Sequence, residues 1–348
     1  MRYRLFGNSG LRVSELCLGT MTFGEVWQDW GLAAPKAECR QIFDAFAAAG
    51  GNFIDTANKY NEGQSESLVG EFFASDRDRF VVATKYTLAT REGDPNAGGN
   101  QRKNMVRAVE ASLKRLGTDY LDLYWVHAWD PLTPLEEVMR GLDDLVRAGK
   151  VLYVGISDAP AWVVAQANTL ARCRGWSPFV GLQVEYSLAL RDVERELVPM
   201  ARAFDLAVTA WSPLAGGILT GKYGGAGGAR AESARFGGEA NPPDPRKLGI
   251  GQSVAKLAAG IGRPPSQVAL NWLRQRRANV IPILGARRLS QLQENLGCLD
   301  WQLTAGQLAR LEEVSRIELG FPHDFLGQDF VRQIVYGGTY AAIDNHRA

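Results

Sequence analysis

The chain has 348 residues and carries 39 basic against 38 acidic side chains. This balance excludes the broad positive surface that proteins use to bind nucleic acid or anionic lipid. Barrels of alternating strands and helices commonly reach about 250 residues or more as one domain. We therefore expect a single domain over residues 1–348, with a barrel at about 15–300 and a C-terminal tail at 301–348.

The cysteines Cys17, Cys39, Cys173 and Cys298 are scattered along the sequence without close pairs. This spacing is typical of neither a zinc site nor a disulfide framework, so we predict reduced thiols and no bound metal. The first residues lack the apolar core of a signal peptide, and no apolar run approaches the length of about 18 residues that would indicate a membrane helix. We expect a cytoplasmic protein that binds no membrane and no nucleic acid.

Two short segments, 3–6 and 12–14, flank a polar Gly-Asn-Ser-Gly turn at the start of the chain. The pattern predicts a β-hairpin. Alternating strand and helix patterns follow, separated by turn residues such as Gly50 and Gly51.

Strands are predicted near 15–18, 52–55, 80–84, 121–126, 151–156, 180–184, 206–210 and 279–282. Helices are predicted near 35–49, 64–74, 101–116, 134–149, 160–174, 192–204, 249–276 in two pieces, and 289–296. Eight such units predict an α/β fold of the (β/α)8 or TIM barrel type.

Three segments are longer than a barrel requires: 87–100, 216–247 and the tail 301–348. Glycine and proline are frequent in the first two, which follow the third and seventh strands. Long loops after barrel strands belong to the face that holds the active site, so we expect them at its mouth. The tail follows the eighth strand and is a candidate to fold over the same mouth.

Four polar residues, Asp55, Tyr60, Lys85 and His127, lie at or just beyond the ends of predicted strands. In a parallel barrel these ends converge on one face. These four groups suit proton delivery to a carbonyl. The phenol is the acid, the ammonium lowers the pKa of the phenol, the carboxylate holds the ammonium, and the imidazole orients the substrate oxygen. The competing interpretation is an ordinary buried ion pair beside a packed tyrosine, with His127 as a satisfied core residue.

These residues and the motifs around them resemble the aldo-keto reductase family, from Tyr3 to about Asp300. The motifs, in the family's order, are Leu18-Gly19-Thr20-Met21-Thr22-Phe23-Gly24, Asp55-Thr56-Ala57 with Tyr60, Thr84-Lys85, Trp125-Val126-His127, Gly155-Ile156-Ser157, Gln183-Val184-Glu185-Tyr186-Ser187, Trp211-Ser212-Pro213-Leu214, and Gln291 with Glu294-Asn295. The chain is similar to bacterial NADPH-dependent members and to the branch of potassium-channel β subunits. The resemblance implies that Asp55, Tyr60, Lys85 and His127 form a catalytic tetrad, and that the hairpin plugs the bottom of the barrel.

None of the four catalytic groups can carry a hydride, so a cofactor must supply it. The first strand is not followed by Gly-x-Gly-x-x-Gly, which indicates that a nicotinamide would lie across the barrel mouth and not on a Rossmann fold. By resemblance, Ser157, Asp158 and Gln183 contact its carboxamide, and Trp211 stacks on its ring.

The remaining cofactor residues are also implied by the resemblance and fall in three groups. The first group lies at the end of the first strand, next to Asp55: Gly19, Thr20 and Met21. The second group is the loop over the pyrophosphate: Ser212, Pro213, Leu214, Gly216, Leu219, Gly221 and Lys222. The third group is the adenosine segment: Gly285, Ala286, Arg287, Gln291, Glu294 and Asn295. Arg287, with Arg288 beside it, offers a guanidinium to a ribose 2′-phosphate, which predicts NADPH/NADP over NADH.

Asp158 departs from the family's more common Ser-Asn pair at positions 157 and 158. A carboxylate cannot donate to the carboxamide oxygen, and it favours the cationic oxidised ring over the neutral reduced one. The alternative is that Asp158 caps the helix that begins near Pro160. The sequence leaves both interpretations open.

Aromatic residues in the loops after strands one, three and four are candidates to line a substrate pocket: Trp27, Trp30, Tyr86 and Trp129. Core packing is the alternative for each. The main functional prediction is a cytoplasmic NADPH-dependent reductase of aldehydes or ketones. A nicotinamide-binding regulatory subunit is the second, and a barrel enzyme with a phosphate site and an acid-base pair is the third. The sequence predicts neither the physiological substrate nor the oligomeric state.

Overall fold

Eight parallel strands close into a barrel in the computed structural model, which describes residues 1–223 and 244–345. A two-stranded hairpin of β1 (Tyr3–Leu5) and β2 (Arg12–Ser14) precedes them. The barrel strands are β3 (Cys17–Gly19), β4 (Phe53–Asp55), β5 (Val81–Tyr86), β6 (Leu121–Val126), β7 (Val151–Ser157), β8 (Phe179–Glu185), β9 (Ala207–Trp211) and β10 (Val280–Gly285). Because β10 pairs with both β9 and β3, the sheet has no free edge.

Helices follow the strands and cover the outside of the barrel. They are α1 (Lys36–Ala48), α2 (Gln64–Phe73), α3 (Arg102–Leu116), α4 (Leu135–Arg147), α5 (Ala161–Arg174), α6 (Leu197–Phe204), α7 (Pro245–Ile261), α8 (Pro265–Arg274) and α9 (Leu289–Leu296), and then α10 (Ala305–Ser315), α11 (His323–Leu326) and α12 (Asp329–Tyr336) in the tail. The predicted (β/α)8 barrel with an N-terminal hairpin is confirmed. The first residues of α7 had been predicted as loop, and residues 224–243 of the predicted long loop lie outside the described residues.

Phe6, directly after β1, fills the N-terminal end of the barrel. Its side chain is fully buried, and its ring lies 5.4 Å from that of Phe53 and 6.2 Å from that of Trp125 between ring centroids. Two glycines make this room, because a Cβ at Gly181 would lie 2.6 Å from the Phe6 ring and one at Gly155 would lie 2.4 Å from the Trp125 ring. The hairpin therefore closes the end of the barrel opposite the predicted site.

Strand alternation divides the apolar residues into two layers. Side chains such as Phe53, Ala83 and Trp125 fill the inside of the barrel. Side chains such as Ile54, Val82 and Tyr124 point outward and form an outer core with the helices. This alternation decides which polar residues at the strand ends face the mouth.

The tail packs on the outside of the barrel. Its helix α10 begins at a capping box on Thr304 and lies against α7. Arg191, in the loop after β8, donates to Ser315 Oγ at 2.8 Å, and Arg195 donates to the Glu318 carbonyl. Among the described residues, no hydrogen bond joins the tail to the four predicted catalytic side chains.

No helix in residues 1–223 and 244–345 is long and apolar enough to cross a membrane.

We predict that Phe6→Ala lowers the free energy of unfolding by about 3–5 kcal/mol, because it leaves a cavity between two buried aromatic rings. Urea-induced unfolding would measure the loss. The neighbouring Leu5 is 57% exposed, so Leu5→Ala should change stability by no more than about 0.5 kcal/mol. Equal effects of the two substitutions would contradict the conclusion that the Phe6 side chain closes the end of the barrel.

Candidate active site

The centre of the site is a buried ion pair between Lys85 and Asp55. Lys85 lies in β5 and is fully buried, and Asp55 is the last residue of the adjacent strand β4. The Lys85 Nζ donates to Asp55 Oδ2 in a short hydrogen bond, to the Thr56 carbonyl at 2.8 Å and to Tyr60 Oη at 3.1 Å. One ammonium thus holds the carboxylate and the phenol together.

Gln183 holds the other oxygen of Asp55. It is buried near the end of β8, and its Nε2 donates to Asp55 Oδ1 at 3.0 Å. Both carboxylate oxygens are therefore engaged, and the carboxylate is fixed from two sides of the barrel. The sequence had assigned Gln183 to the cofactor carboxamide and had not predicted this contact with Asp55.

Tyr60 begins a short 3-10 turn, Tyr60–Gly63, after β4. Burial raises the pKa of its phenol, and the Lys85 charge lowers it by less, so the pKa lies above its ordinary value. Burial lowers the pKa of Lys85, but Asp55 and Tyr60 together raise it by more. At neutral pH the phenol therefore keeps its proton and the ammonium keeps its charge. The sequence had predicted the Lys85 effect but not that burial would exceed it.

His127 follows β6 directly, and its ring faces that of Tyr60 at 5.7 Å between centroids and at 82°. Its Nδ1 is buried and has no hydrogen-bond partner among the described residues. Burial and the Lys85 charge hold the pKa of His127 well below its ordinary value. The imidazole is therefore neutral, with one N–H to donate and one nitrogen to accept.

Two tryptophans of the loop after β3 stand beside Tyr60. The Trp27 ring lies 6.3 Å from the Tyr60 ring, and the Trp30 ring lies 5.6 Å from the Trp27 ring. Trp30 is 69% exposed, so together they form an aromatic wall that is open to solvent. Trp129 is half-buried against the outer core, and its backbone N–H donates to the Asp158 carbonyl at 3.3 Å.

The assignment of Tyr86 to the pocket wall is wrong. Tyr86 is fully buried in the outer core, where it stacks on Tyr124 at 5.2 Å between ring centroids. The reason is strand alternation: Lys85 points into the barrel, so its neighbour in β5 points outward.

Asp158 lies just beyond β7 with its backbone in the left-handed region, at φ 45°. Its Oδ1 accepts a hydrogen bond from Trp211 Nε1 at 3.1 Å. Helix α5 has Pro160 at its N-cap and no side-chain cap, so the capping interpretation is wrong. Asp158 is exposed at the mouth, but desolvation by the surrounding protein raises its pKa. The Trp211 hydrogen bond, the Lys85 charge and the Ser157 hydroxyl lower the pKa by less.

Ser157, the last residue of β7, is buried, and its hydroxyl lies close enough to the Asp158 carboxylate to act on the pKa of that group. The loop after β9 then turns sharply, with positive φ at Ser212, Ala215 and several glycines. Lys222 lies across Gly217, where a Cβ would meet its Nζ at 2.4 Å. Of the other residues predicted in this loop, Leu214 and Gly216 are partly exposed, Pro213 is buried, and Gly221 has φ 81°. The Leu219 side chain lies in the outer core, so only the Leu219 backbone is left for a contact with a cofactor.

The predicted adenosine segment lies after β10, beside the loop that carries Trp30. Arg287 Nη1 donates to the Gly31 carbonyl at 2.7 Å, and the Arg287 N–H donates to Gln291 Oε1 at 2.9 Å. The other predicted residues are Gly285, which is exposed, Ala286 and Asn295, which are buried, and Glu294, whose carboxylate accepts from Ser266 Oγ at 2.6 Å. Arg288 is exposed.

The residues at the end of β3 hold the backbone of Asp55 in place. Thr20 donates to the Asp55 carbonyl through both its N–H and its Oγ1, at 2.9 and 3.0 Å. Gly19 is closely packed, since a Cβ there would lie 2.6 Å from the Ile283 side chain. Met21 is half-buried, and its carbonyl accepts from Asn61 Nδ2 at 2.9 Å.

Asn61 is a structural residue of the site that the sequence analysis missed. It is fully buried at φ 46°, and its Oδ1 accepts from the Trp27 N–H at 2.9 Å while its Nδ2 holds the Met21 carbonyl. It thus ties the aromatic wall to the turn that carries Tyr60. Its position directly after Tyr60 was the one available signal.

Residues 1–223 and 244–345 contain no group of three or more His, Cys, Asp or Glu side chains that could hold a metal ion.

A closed barrel with a phenol, an ammonium, a carboxylate and a neutral imidazole at its mouth defines a site suited to proton transfer at a carbonyl or alcohol oxygen. The model of the aldo/keto reductase family matches residues 15–316. The chain belongs to the aldo/keto reductase family, and the predicted enzyme class is confirmed.

Similar proteins include dehydrogenases and reductases of fungi. An aryl-alcohol dehydrogenase of Pestalotiopsis microspora is 39% identical, with 94% of this chain and 85% of that protein covered. A norsolorinic acid reductase of Emericella nidulans is 40% identical, with 91% and 82% covered. The aryl-alcohol dehydrogenase [NADP(+)] of Phanerodontia chrysosporium is 38% identical, with 94% and 89% covered. All three of these relatives are fungal, whereas the sequence analysis expected a likeness to bacterial members and to the potassium-channel branch.

We predict that Lys85→Met lowers the free energy of unfolding by about 3–5 kcal/mol, because it leaves the Asp55 carboxylate buried without a cation. The double substitution Asp55→Asn with Lys85→Met removes both charges and should recover part of that loss. Urea-induced unfolding of the three proteins would measure this. A double variant less stable than Lys85→Met would contradict the pairing.

Proposed function

We propose that the chain reduces an aldehyde or ketone to an alcohol, with a hydride from NADPH and a proton from Tyr60. The observation that carries this proposal is the contact of 3.1 Å between Tyr60 Oη and the Lys85 ammonium, which Asp55 holds in place. The arrangement gives a protonated phenol a cation that stabilises the phenolate formed when the proton leaves.

Each group of the site has a distinct part in this proposal. The neutral His127 donates its N–H to the carbonyl oxygen and holds it near Tyr60. Tyr60 gives its proton to that oxygen, and Lys85 stabilises the phenolate that remains. The nicotinamide, when bound, supplies the hydride. Gln183 and Thr20 keep Asp55, and through it Lys85, in position.

The residues at the mouth fit a nicotinamide cofactor. The Ser157 hydroxyl, next to the Asp158 carboxylate, is a candidate partner for a carboxamide, and the half-buried indole of Trp211 offers a flat face for its ring. Lys222 and the amides of the loop after β9 suit phosphate oxygens. Arg287 provides a guanidinium for a 2′-phosphate, and one relative is named as an NADP(+) enzyme, which supports NADPH over NADH.

The wall of Trp27 and Trp30 supports an aromatic carbonyl compound as the substrate. Flat aromatic side chains stack well on aromatic ligands. The name aryl-alcohol dehydrogenase, which two of the relatives carry, supports the same class. A panel of aryl aldehydes and ketones, followed by NADPH absorbance, tests this proposal directly. NADPH binding without turnover across the panel would favour a regulatory binding subunit.

We predict that Tyr60→Phe lowers carbonyl reduction by about 10²- to 10⁴-fold, the usual cost of losing a general acid. Calorimetry should show NADPH binding close to wild type. Tyr86→Phe is the matched control, because this tyrosine faces the outer core, and it should retain most of the turnover. The assignment is wrong if Tyr60→Phe keeps more than half of the wild-type rate.

We predict that Arg287→Ala weakens NADPH binding roughly ten- to hundredfold, since a charged hydrogen bond contributes about 1.5–3 kcal/mol. NADH binding should weaken much less, because NADH lacks the 2′-phosphate. Titration of both cofactors into both proteins measures the difference. Equal losses would assign Arg287 a structural role through its bond to the Gly31 carbonyl.

A further inference from the structure

Asp158 is fixed at the mouth by contacts from three neighbouring strands and loops. Its carboxylate accepts from Trp211 Nε1 at 3.1 Å. Its backbone N–H donates to the Gln183 carbonyl at 3.2 Å, and its carbonyl accepts from the Trp129 N–H at 3.3 Å. The carboxylate therefore lies at the N–H edge of the indole whose face is proposed to receive the nicotinamide, and it does not cap α5.

The carboxylates of Asp158 and Asp55 differ in whether a cation lies directly against them. Asp55 is paired directly with Lys85. Asp158 has no ion-pair partner among residues 1–223 and 244–345, because the indole is neutral and Lys85 acts on it only from a distance. A negative charge without a direct counterion thus lies beside the proposed ring site.

The backbone does not explain why this residue is an acid. At φ 45° the backbone is in the left-handed region, which admits both Asp and Asn, and either side chain offers an oxygen to Trp211 Nε1. What Asp158 adds is therefore its negative charge.

We propose that Asp158 stabilises the oxidised, positively charged nicotinamide and thereby makes the bound NADPH a stronger hydride donor. The proposal rests on the proposed function, since it requires a nicotinamide against Trp211. When the hydride leaves with its electron pair for the carbonyl carbon, the ring changes from neutral to cationic, while Tyr60 supplies the proton to the oxygen. A fixed carboxylate favours the cation.

Thermodynamic linkage turns this effect into a measurable ratio of affinities. If the protein binds NADP⁺ more tightly relative to NADPH, the bound cofactor is oxidised more readily by the same factor. NADP⁺ should then also leave slowly and inhibit strongly as a product. Activity alone would not isolate this effect, because the Asp158 charge also raises the pKa of Tyr60.

The test compares the dissociation constants of NADP⁺ and NADPH, measured by calorimetric titration, in wild type, Asp158→Asn and Trp211→Phe. Asp158→Asn keeps the acceptor for the indole but removes the charge. Trp211→Phe removes the indole donor but keeps the carboxylate. The ratio of the NADP⁺ constant to the NADPH constant should rise at least about threefold in Asp158→Asn, because a nearby unit charge is worth a factor of several in binding.

In Trp211→Phe the same ratio should stay within about twofold of wild type, since the charge remains. A ratio unchanged in Asp158→Asn, in proteins that bind both cofactors, would overturn the electrostatic role and leave the proposed reductase intact. A shift as large in Trp211→Phe would also overturn it, because the effect would then come from the placement of the indole. Failure of the wild type to bind either cofactor would overturn the reductase proposal itself.

Discussion

The burial of the Lys85 ammonium is the constraint on which the site depends. Removing an ammonium from water costs several kcal/mol unless close partners replace the water. Asp55, the Thr56 carbonyl and Tyr60 are those partners, and they come from β4 and the turn after it. The register of β4 with β5 places them around the Nζ, so the closed barrel itself sets the geometry of the phenol.

The barrel and the grouping of the four polar residues could be predicted because both depend on local pattern. Apolar runs, turn residues and helix periodicity mark the strands and helices, and parallel strands bring their ends together in any closed barrel. Tyr86 was misassigned, although the same alternation that places Lys85 inside places its neighbour outside. Asp244 before Pro245 was likewise an available signal for the start of α7, where Asp244 accepts from the Arg246 N–H at 2.8 Å.

The remaining features depend on distances that a sequence does not contain. Whether burial or Lys85 controls the pKa of Tyr60 is a difference between two opposed effects of the folded site. Asp158 before Ala159 and Pro160 has the local pattern of a helix cap, yet its left-handed backbone turns the carboxylate to Trp211. The two side-chain hydrogen bonds of Asn61 and the Gln183 contact with Asp55 also join residues far apart in the chain.

The charges at the mouth form a gradient that matches the proposed cofactor. Beyond the neutralised pair of Lys85 and Asp55, the carboxylate of Asp158 lies at the end proposed for the nicotinamide, and Lys222 and Arg287 lie in the segments proposed for the phosphates. NADP⁺ carries a positive ring at one end and several negative phosphates at the other. Oriented charges of this kind favour one direction of binding over the reverse. If a nicotinamide binds against Trp211, the Asp158 carboxylate favours this orientation of the cofactor as well as its oxidised state.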